Sequence, residues 1–238
     1  MPEGMTSPGQ DIFAPGCYIF ACEYSTLTLM KDTDTGSRVP SSPGSNRLLS
    51  SRLYDLFMVP LEAAGIARLR RRIIPRAEGD VLETGAGTGA NLKYYNHAQL
   101  SSLILSDHKP GRLLLRRAFR YKAEVVEADV SRLPFEDKTF DTVVFTLLFC
   151  SVEDPAAGLA EIQRVLKPGG RILFLEHVLG CSPLTRAVQH SLTPFWRRIS
   201  GNCHLNRETF DLIAGSGFVI EERMTEAGCV LSAGIGRR

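Results

Sequence analysis

The sequence predicts an α/β protein built on a mostly parallel, doubly wound sheet of seven strands that closes with an antiparallel hairpin. Three observations predict it. Short apolar runs alternate with helical patterns from Gly79 onward, as in successive βαβ units. A glycine cluster, Gly85 to Gly89, lies between the first strand and the segment after it. The last two runs are joined by Glu226-Ala-Gly228, a hairpin signal that makes the final strand antiparallel.

Residues 1–46 are rich in Gly, Pro, Ser, Thr and Asp and read as a disordered or loosely packed leader. Residues 47–238 read as one domain that opens with lid helices over 47–76. There Leu48, Leu49, Leu53, Leu56 and Phe57 recur at three- and four-residue spacing, and after Pro60 a second helix carries Ile66, Leu69 and Ile73. Pro75 ends it. The strands follow at 79–84, 102–106, 123–128, 140–149, 171–177, 218–224 and 229–235. Helices are expected to begin at Asn91 and to cover 111–121, 156–166 and 206–216, with 181–203 helical or irregular.

Composition excludes other classes. The chain is 44% apolar and 23% charged, with a net charge of +2, so neither a collagen-like nor a fully disordered protein is indicated. No run of about 20 apolar residues spans a bilayer. None of the six cysteines forms a C-x-x-C pair or a Cys/His zinc spacing. Cys150 and Cys229 lie in apolar runs, where a free thiol behaves as a small hydrophobe. That usage suits a reducing, cytoplasmic setting.

The glycine loop carries the chemistry. In Glu83-Thr-Gly85-Ala-Gly87-Thr-Gly89 the missing side chains let the backbone turn sharply and approach a ligand. The loop also fits the dinucleotide pattern G-x-G-x-x-G/A, so NAD stays open at this point. Asp107 ends the second strand, where a carboxylate accepts both ribose hydroxyls of NAD or of S-adenosylmethionine. Asp129 ends the third, placed to accept from an exocyclic adenine amine, and Val130 offers its backbone N–H beside it. Leu133-Pro-Phe135 follows, and Val165-Leu-Lys-Pro-Gly-Gly170 precedes the fifth strand.

Taken together, E-x-G-x-G-x-G, the acidic end of strand two, A-D-x-x-x-L-P-F, F-D-x-V and V-L-K-P-G-G resemble the class I S-adenosylmethionine-dependent methyltransferases, whose sheet is Rossmann-like. The resemblance covers about residues 47–238 and is nearest to the ubiquinone/menaquinone-biosynthesis and phospholipid branch. Thr146-Leu-Leu-Phe-Cys-Ser-Val152 and Gly201-Asn-Cys-His-Leu-Asn-Arg207 also resemble the animal membrane-associated thiol methyltransferases. It implies S-adenosylmethionine as cofactor and a set of contacts. Gly85, Ala86 and Gly87 would line its methionine part, and Glu83 would orient that loop or its water. Asp107 and His108 would hold the ribose, and Asp129 and Val130 would read the adenine. Thr146 and Leu147 would lie beside the sulfonium, and Tyr54 would close over it.

Methyl transfer from a sulfonium is an in-line displacement in which charge disappears, so positioning and desolvation dominate and no metal is required. A thiolate, phenolate or amine acceptor needs little help, whereas a neutral hydroxyl wants a general base. Candidate bases are His177, at the carboxyl end of strand five, and His190 and His204. His177 is the catalytic candidate because open α/β sheets place ligands at that edge. Cys150 is a candidate substrate contact. Leu53, Phe57, Met58, Phe149, Phe195 and Trp196 suggest a lipophilic acceptor pocket.

The acceptor expected is a small lipophilic thiol, quinone precursor or phospholipid headgroup. Seven arginines between Arg47 and Arg76, and six basic residues with no acid between Lys109 and Lys122, suit peripheral contact with an anionic membrane. The same charge leaves a nucleic-acid methyltransferase as the alternative. Against it, Leu147-Leu-Phe-Cys stands where a base-holding Asn-Pro-Pro-aromatic motif would be, and no nucleic acid is expected as partner. An NAD-dependent oxidoreductase would need a hydride-transfer dyad such as Tyr-x-x-x-Lys, which is not recognisable here.

Overall fold

A computed structural model describes Val59, residues 62–200 and residues 202–238. The leader, Tyr54 and the first lid helix lie outside the described residues. A π turn, Glu62–Ile66, leads into α1, Ala67–Ile73, which a 3-10 turn at Ile74–Arg76 ends through Pro75.

The strands are β1, Gly79–Thr84; β2, Leu100–Asp107; β3, Glu124–Glu127; β4, Phe140–Thr146; β5, Leu166–His177; β6, Val219–Glu226; and β7, Leu231–Arg237. Between them run α2, Arg112–Tyr121; α3, Pro155–Val165; α4, Pro183–Ile199; and α5, Thr209–Gly215. They form one seven-stranded sheet in the order β3-β2-β1-β4-β5-β7-β6. Pairs among β1 to β5 are parallel, and β7 is antiparallel to both β5 and β6. The expected Rossmann-like architecture is the one observed.

Side-chain alternation splits the interior into two layers. Val81, Val144, Leu173 and Leu175 pack with Ile66, Leu69 and Ile73 of the α1 region and Leu114 and Ala118 of α2. Their neighbours Leu82, Val143, Phe145 and Phe174 pack with Leu159, Ile162 and Val165 of α3 and Ile213 of α5. Successive strand residues therefore bury on opposite faces, and both faces are covered by helices.

Two of the sequence motifs build this scaffold. Lys167 bridges Asp80 at 3.1 Å and Asp141 at 2.8 Å, and Asp141 also accepts the Asp80 N–H at 2.9 Å. An added Cβ at Gly79 would lie 2.5 Å from the Asp141 carboxylate, so the strand start must be glycine to admit that clasp. Arg164 donates to the carbonyls of Leu133 and Phe135 and to Glu161 and Asp137, holding down the Leu-Pro-Phe segment.

Several expectations are corrected. The helix expected at Asn91 is a single 3-10 turn, Leu92–Tyr94. β4 stops at Thr146 rather than Phe149, because Leu147 turns into the left-handed region at φ 55°. Residues 183–199 are one continuous helix despite Pro194. Cys229, read as a free buried thiol, is disulfide-bonded to Cys181.

Phe145 is fully buried with Phe149 edge-on at 4.9 Å and Phe174 stacked at 6.1 Å. Phe145→Ala empties the centre of the second layer and should cost about 3–5 kcal/mol. Urea unfolding measures it; a loss under about 1 kcal/mol would mean that this layer is not the core.

Candidate functional site

Strand order reverses between β1 and β4, since the chain runs outward from β1 through β2 to β3 and returns on the other side. In open α/β sheets the crevice at the carboxyl ends of two such strands is the ligand site. The glycine loop leaves β1 there. Gly85, Gly87 and Gly89 have φ of 69°, 58° and 74°. At Gly85 a Cβ would lie 2.6 Å from a Leu148 methyl, so glycine is required by both torsion and space. At Gly87 a Cβ would meet nothing nearer than the Gly85 carbonyl at 4.0 Å, so the loop surface there is open to a ligand.

The loop is tied from below and from both sides. The Ala86 N–H donates to the Ser106 carbonyl at 3.0 Å, and Arg117 of α2 donates to the Thr88 carbonyl at 2.8 Å. Glu83 is buried and accepts from Asn91 Nδ2 at 3.0 Å and from Tyr95 Oη at 2.6 Å. The same Asn91 amide donates to Thr146 Oγ1 at 3.1 Å, joining the ends of β1 and β4. Burial pushes the Glu83 carboxyl up to about 7 against the pull of its hydrogen bonds, and burial beside Glu83 raises Tyr95 well above the phenol range. Buried and bonded to Asn91 and Tyr95, Glu83 ties the start of the glycine loop to the segment after it. Asn91 Oδ1 is buried with no partner among the described residues.

Asp107, at the end of β2, is already oriented. Its Oδ2 accepts from the Gly87 N–H at 2.8 Å and its Oδ1 from the Lys109 N–H at 2.9 Å. A carboxylate has about four lone-pair positions, so two remain for ribose hydroxyls. The Asp107 carbonyl accepts from the Ala128 N–H at 3.0 Å, which brings the next acid alongside. Asp129 lies exposed 4.0 Å from His108 Nδ1, and Val130 is buried next to it against Gly158. Gly85, Ala86, Gly87, Asp107, His108, Asp129, Val130, Thr146 and Leu147 all lie at or just beyond the carboxyl ends of β1 to β4. A loop open over Gly87, an oriented carboxylate and a second acid one strand along are a set of acceptors that suits the hydroxyls and amine of an adenosyl nucleoside.

The turn after β4 hangs on a residue that sequence reasoning missed. Glu176 of β5 is fully buried, and its carboxylate accepts the N–H groups of Leu148 at 2.9 Å, Phe149 at 3.0 Å and Cys150 at 3.2 Å. Burial raises it to about 7 even so. An acid inside the run Ile172-Leu-Phe-Leu-Glu176 is the sequence signal that could have marked it. Asn91 and Tyr95 were missed too, and no spacing points to them.

The acceptor-side candidates disperse. His177 ends β5 largely buried, with Nδ1 unpartnered among the described residues, and burial depresses it to about 4. His190 contacts Asn206 at 3.0 Å on α4. His204 lies by the Cys150 carbonyl at 3.3 Å, lowered by burial and then by Arg207 and Arg197. Phe149 belongs to the second core layer, and Phe195 is exposed on α4. Leu53, Tyr54, Phe57 and Met58 lie outside the described residues.

Comparison with known proteins adds to this geometry. Residues 82–174 match the family described as Methyltransferase domain. The thiol S-methyltransferase TMT1A of Homo sapiens is 31% identical over 179 residues, 73% of this chain and 70% of that protein. The thiol S-methyltransferase TMT1B of Rattus norvegicus is 36% identical over 147 residues, 59% of this chain and 60% of that protein. The demethylmenaquinone methyltransferase of Clavibacter sepedonicus is 36% identical over 119 residues, 49% of this chain and 48% of that protein. Among solved structures, the methyltransferase in complex with the Trm112 activator of Haloferax volcanii superposes with a TM-score of 0.62 at 18% identity, covering 83% of this chain and 99% of that one. The S-adenosylmethionine-dependent methyltransferase of Mesorhizobium loti gives 0.56 at 18% identity, covering 71% and 95%. The chain belongs to the class I S-adenosylmethionine-dependent methyltransferases, in the branch shared by the thiol S-methyltransferases and the ubiquinone and menaquinone methyltransferases.

Proposed function

We propose that the protein methylates a small lipophilic acceptor, a thiol before a quinone precursor or phospholipid headgroup, by direct displacement. The observation that carries the choice of thiol is the likeness to the human thiol S-methyltransferase, which extends over 179 residues and so runs well past the matched domain at 82–174. S-adenosylmethionine is the cofactor, and when bound it supplies an electrophilic methyl on a positively charged sulfur. Asp107 and His108 would hold its ribose, Asp129 and Val130 its adenine edge, and Gly85, Ala86 and Gly87 its methionine end. Tyr54 would cover it. Glu83, through Asn91, keeps Thr146 and the loop in register.

The chemistry at the acceptor side supports a nucleophile that ionises by itself. His177 stays neutral across the physiological range, and a base depressed to about 4 extracts protons poorly from a hydroxyl. A thiol with a pKa near 8.5 needs no such base. His177 would then direct the acceptor by a hydrogen bond. Meeting of thiolate and sulfonium also cancels charge, which a water-poor crevice favours. For access to lipophilic acceptors, α2 presents Phe119, 88% exposed, and Leu115 among Arg112, Arg116 and Arg120, a face suited to an anionic membrane surface.

Labelled S-adenosylmethionine offered with thiols, quinols, amines and lipids should mark thiols first; label on quinols alone would overturn the choice. Asp107→Ala should weaken S-adenosylmethionine binding by roughly thirtyfold or more, the worth of a charge-assisted contact. Calorimetry showing equal affinity would remove Asp107 from the ribose. With thiol acceptors, kcat/KM should rise with pH up to the pKa of the acceptor and shift when a more acidic thiol is used. An inflection that stays put across acceptors would place the titrating group on the enzyme instead.

Glu83 and Glu176 also make stability pH-dependent. Each keeps its proton to about pH 7 when folded but releases it near 4.5 when unfolded. The folded state binds more protons between those values, so stability falls as pH rises from about 4.5 to 7, by up to roughly 3 kcal/mol per group. Glu83→Gln should flatten that fall in thermal unfolding, and an unaltered slope would contradict a neutral Glu83.

A further inference from the structure

Two free thiols, Cys150 and Cys203, lie near one another at the carboxyl edge of the sheet. The loop between α4 and α5 is stitched onto the turn after β4. Asn202 Nδ2 donates to the Ser151 carbonyl at 3.1 Å, and the His204 N–H donates to the Cys150 carbonyl at 2.8 Å. Arg207 donates to the carbonyls of Phe149 at 2.6 Å and Val152 at 2.7 Å. Because Asn202 and His204 are both bonded to the 150–151 backbone, these contacts place Cys203 alongside Cys150. Neither cysteine is in a disulfide.

The two sulfurs sit in unequal surroundings. Cys203 is partly exposed, whereas Cys150 beside it is buried. The neighbouring Cys150 thiol, as the largest influence, holds Cys203 below the ordinary thiol range despite burial. Cys150 is buried at 1% exposure, its thiol also within reach of Glu176. Its bond to Cys203, and then burial, push it well above that range. His204 and Arg207 are the other ionisable groups at this contact.

We propose that Cys203 and Cys150 form a peroxide-sensitive dithiol in which the half-open Cys203 is oxidised first and the buried Cys150 resolves it. In the first step the Cys203 thiolate attacks one oxygen of hydrogen peroxide. The O–O bond breaks, the departing hydroxide takes up a proton as water, and Cys203 becomes a sulfenic acid. In the second step the Cys150 sulfur attacks the Cys203 sulfur. The S–S bond forms, the S–O bond breaks, and the departing hydroxide carries off the Cys150 proton as water. Two thiols and one peroxide thus give one disulfide and two waters. The product bond would pin the α4–α5 loop to the turn whose Leu148 packs on Gly85. The inference is independent of which acceptor is methylated.

The full chain treated with one equivalent of hydrogen peroxide, alkylated and digested without reductant, should yield a Cys150–Cys203 peptide that dithiothreitol removes, while the Cys181–Cys229 peptide is present before and after treatment. Before oxidation, iodoacetamide at pH 7 should label Cys203 at least about tenfold faster than Cys150. Cys150→Ser should leave a Cys203 sulfenic acid that dimedone traps, and Cys203→Ser should give neither adduct nor cross-link. A wild-type chain in which peroxide yields no Cys150–Cys203 peptide, or in which Cys150 is alkylated as fast as Cys203, overturns the assignment.

Discussion

Glu176 is the constraint on which the catalytic edge rests. A carboxylate taken wholly out of water carries a desolvation cost of several kcal/mol unless it is hydrogen-bonded. Here three successive backbone N–H groups, those of Leu148, Phe149 and Cys150, face it. The chain must bend sharply to present them, and Leu147 accepts a left-handed torsion to do so. That bend ends β4 at the level of Thr146, places Leu148 under the glycine loop, and presents the Cys150 carbonyl to the α4–α5 loop. One buried acid on β5 therefore sets the height of the crevice floor and the position of the elements on its far side.

A second buried carboxylate does the same work across the strand reversal. Glu83 on β1 holds Asn91, and Asn91 holds Thr146 on β4. The two strands that flank the crevice are parallel neighbours along their length, but beyond their ends only side chains can keep them in register. The arrangement of Asp107 follows from it. With the loop tied in this way, the Gly87 N–H is aimed at Asp107 and the carboxylate is already oriented. Preorganisation of this kind lowers the entropic cost of holding a cofactor in line with its acceptor.

The sequence made the scaffold legible because period-two alternation and βα spacing are local properties. Val81 and Leu82, or Leu173 and Phe174, announce opposite burial by adjacency alone. Asp107 was legible for a related reason, since the end of the second strand is fixed by spacing from the glycine loop. Two of the motifs that carried the family resemblance prove to be scaffold: Asp141 of F-D-x-V and Lys167 of V-L-K-P-G-G clasp β1 at the edge away from the crevice. Asn91 and Tyr95 were not legible, because their partners are brought together only by tertiary folding, and Glu176 showed only as an acid inside an apolar run. The Cys181–Cys229 bond escaped for the same reason, its two residues lying 48 positions apart on segments whose approach depends on β5 pairing with β7.

The cysteines show how position in the same fold separates chemically identical groups. Cys181 and Cys229 join the segment after β5 to the turn before β7, two stretches already registered by His177 facing Leu231, so their bond reinforces pairing that exists without it. Cys150 and Cys203 instead span a boundary between the sheet edge and a loop held by a few polar bonds to backbone carbonyls. Polar bonds at a half-exposed loop open far more readily than a strand pair in the core. Sulfur chemistry at that boundary would act on a loop held by polar bonds, while the core beneath it is held by packing such as Phe145 stacked on Phe174.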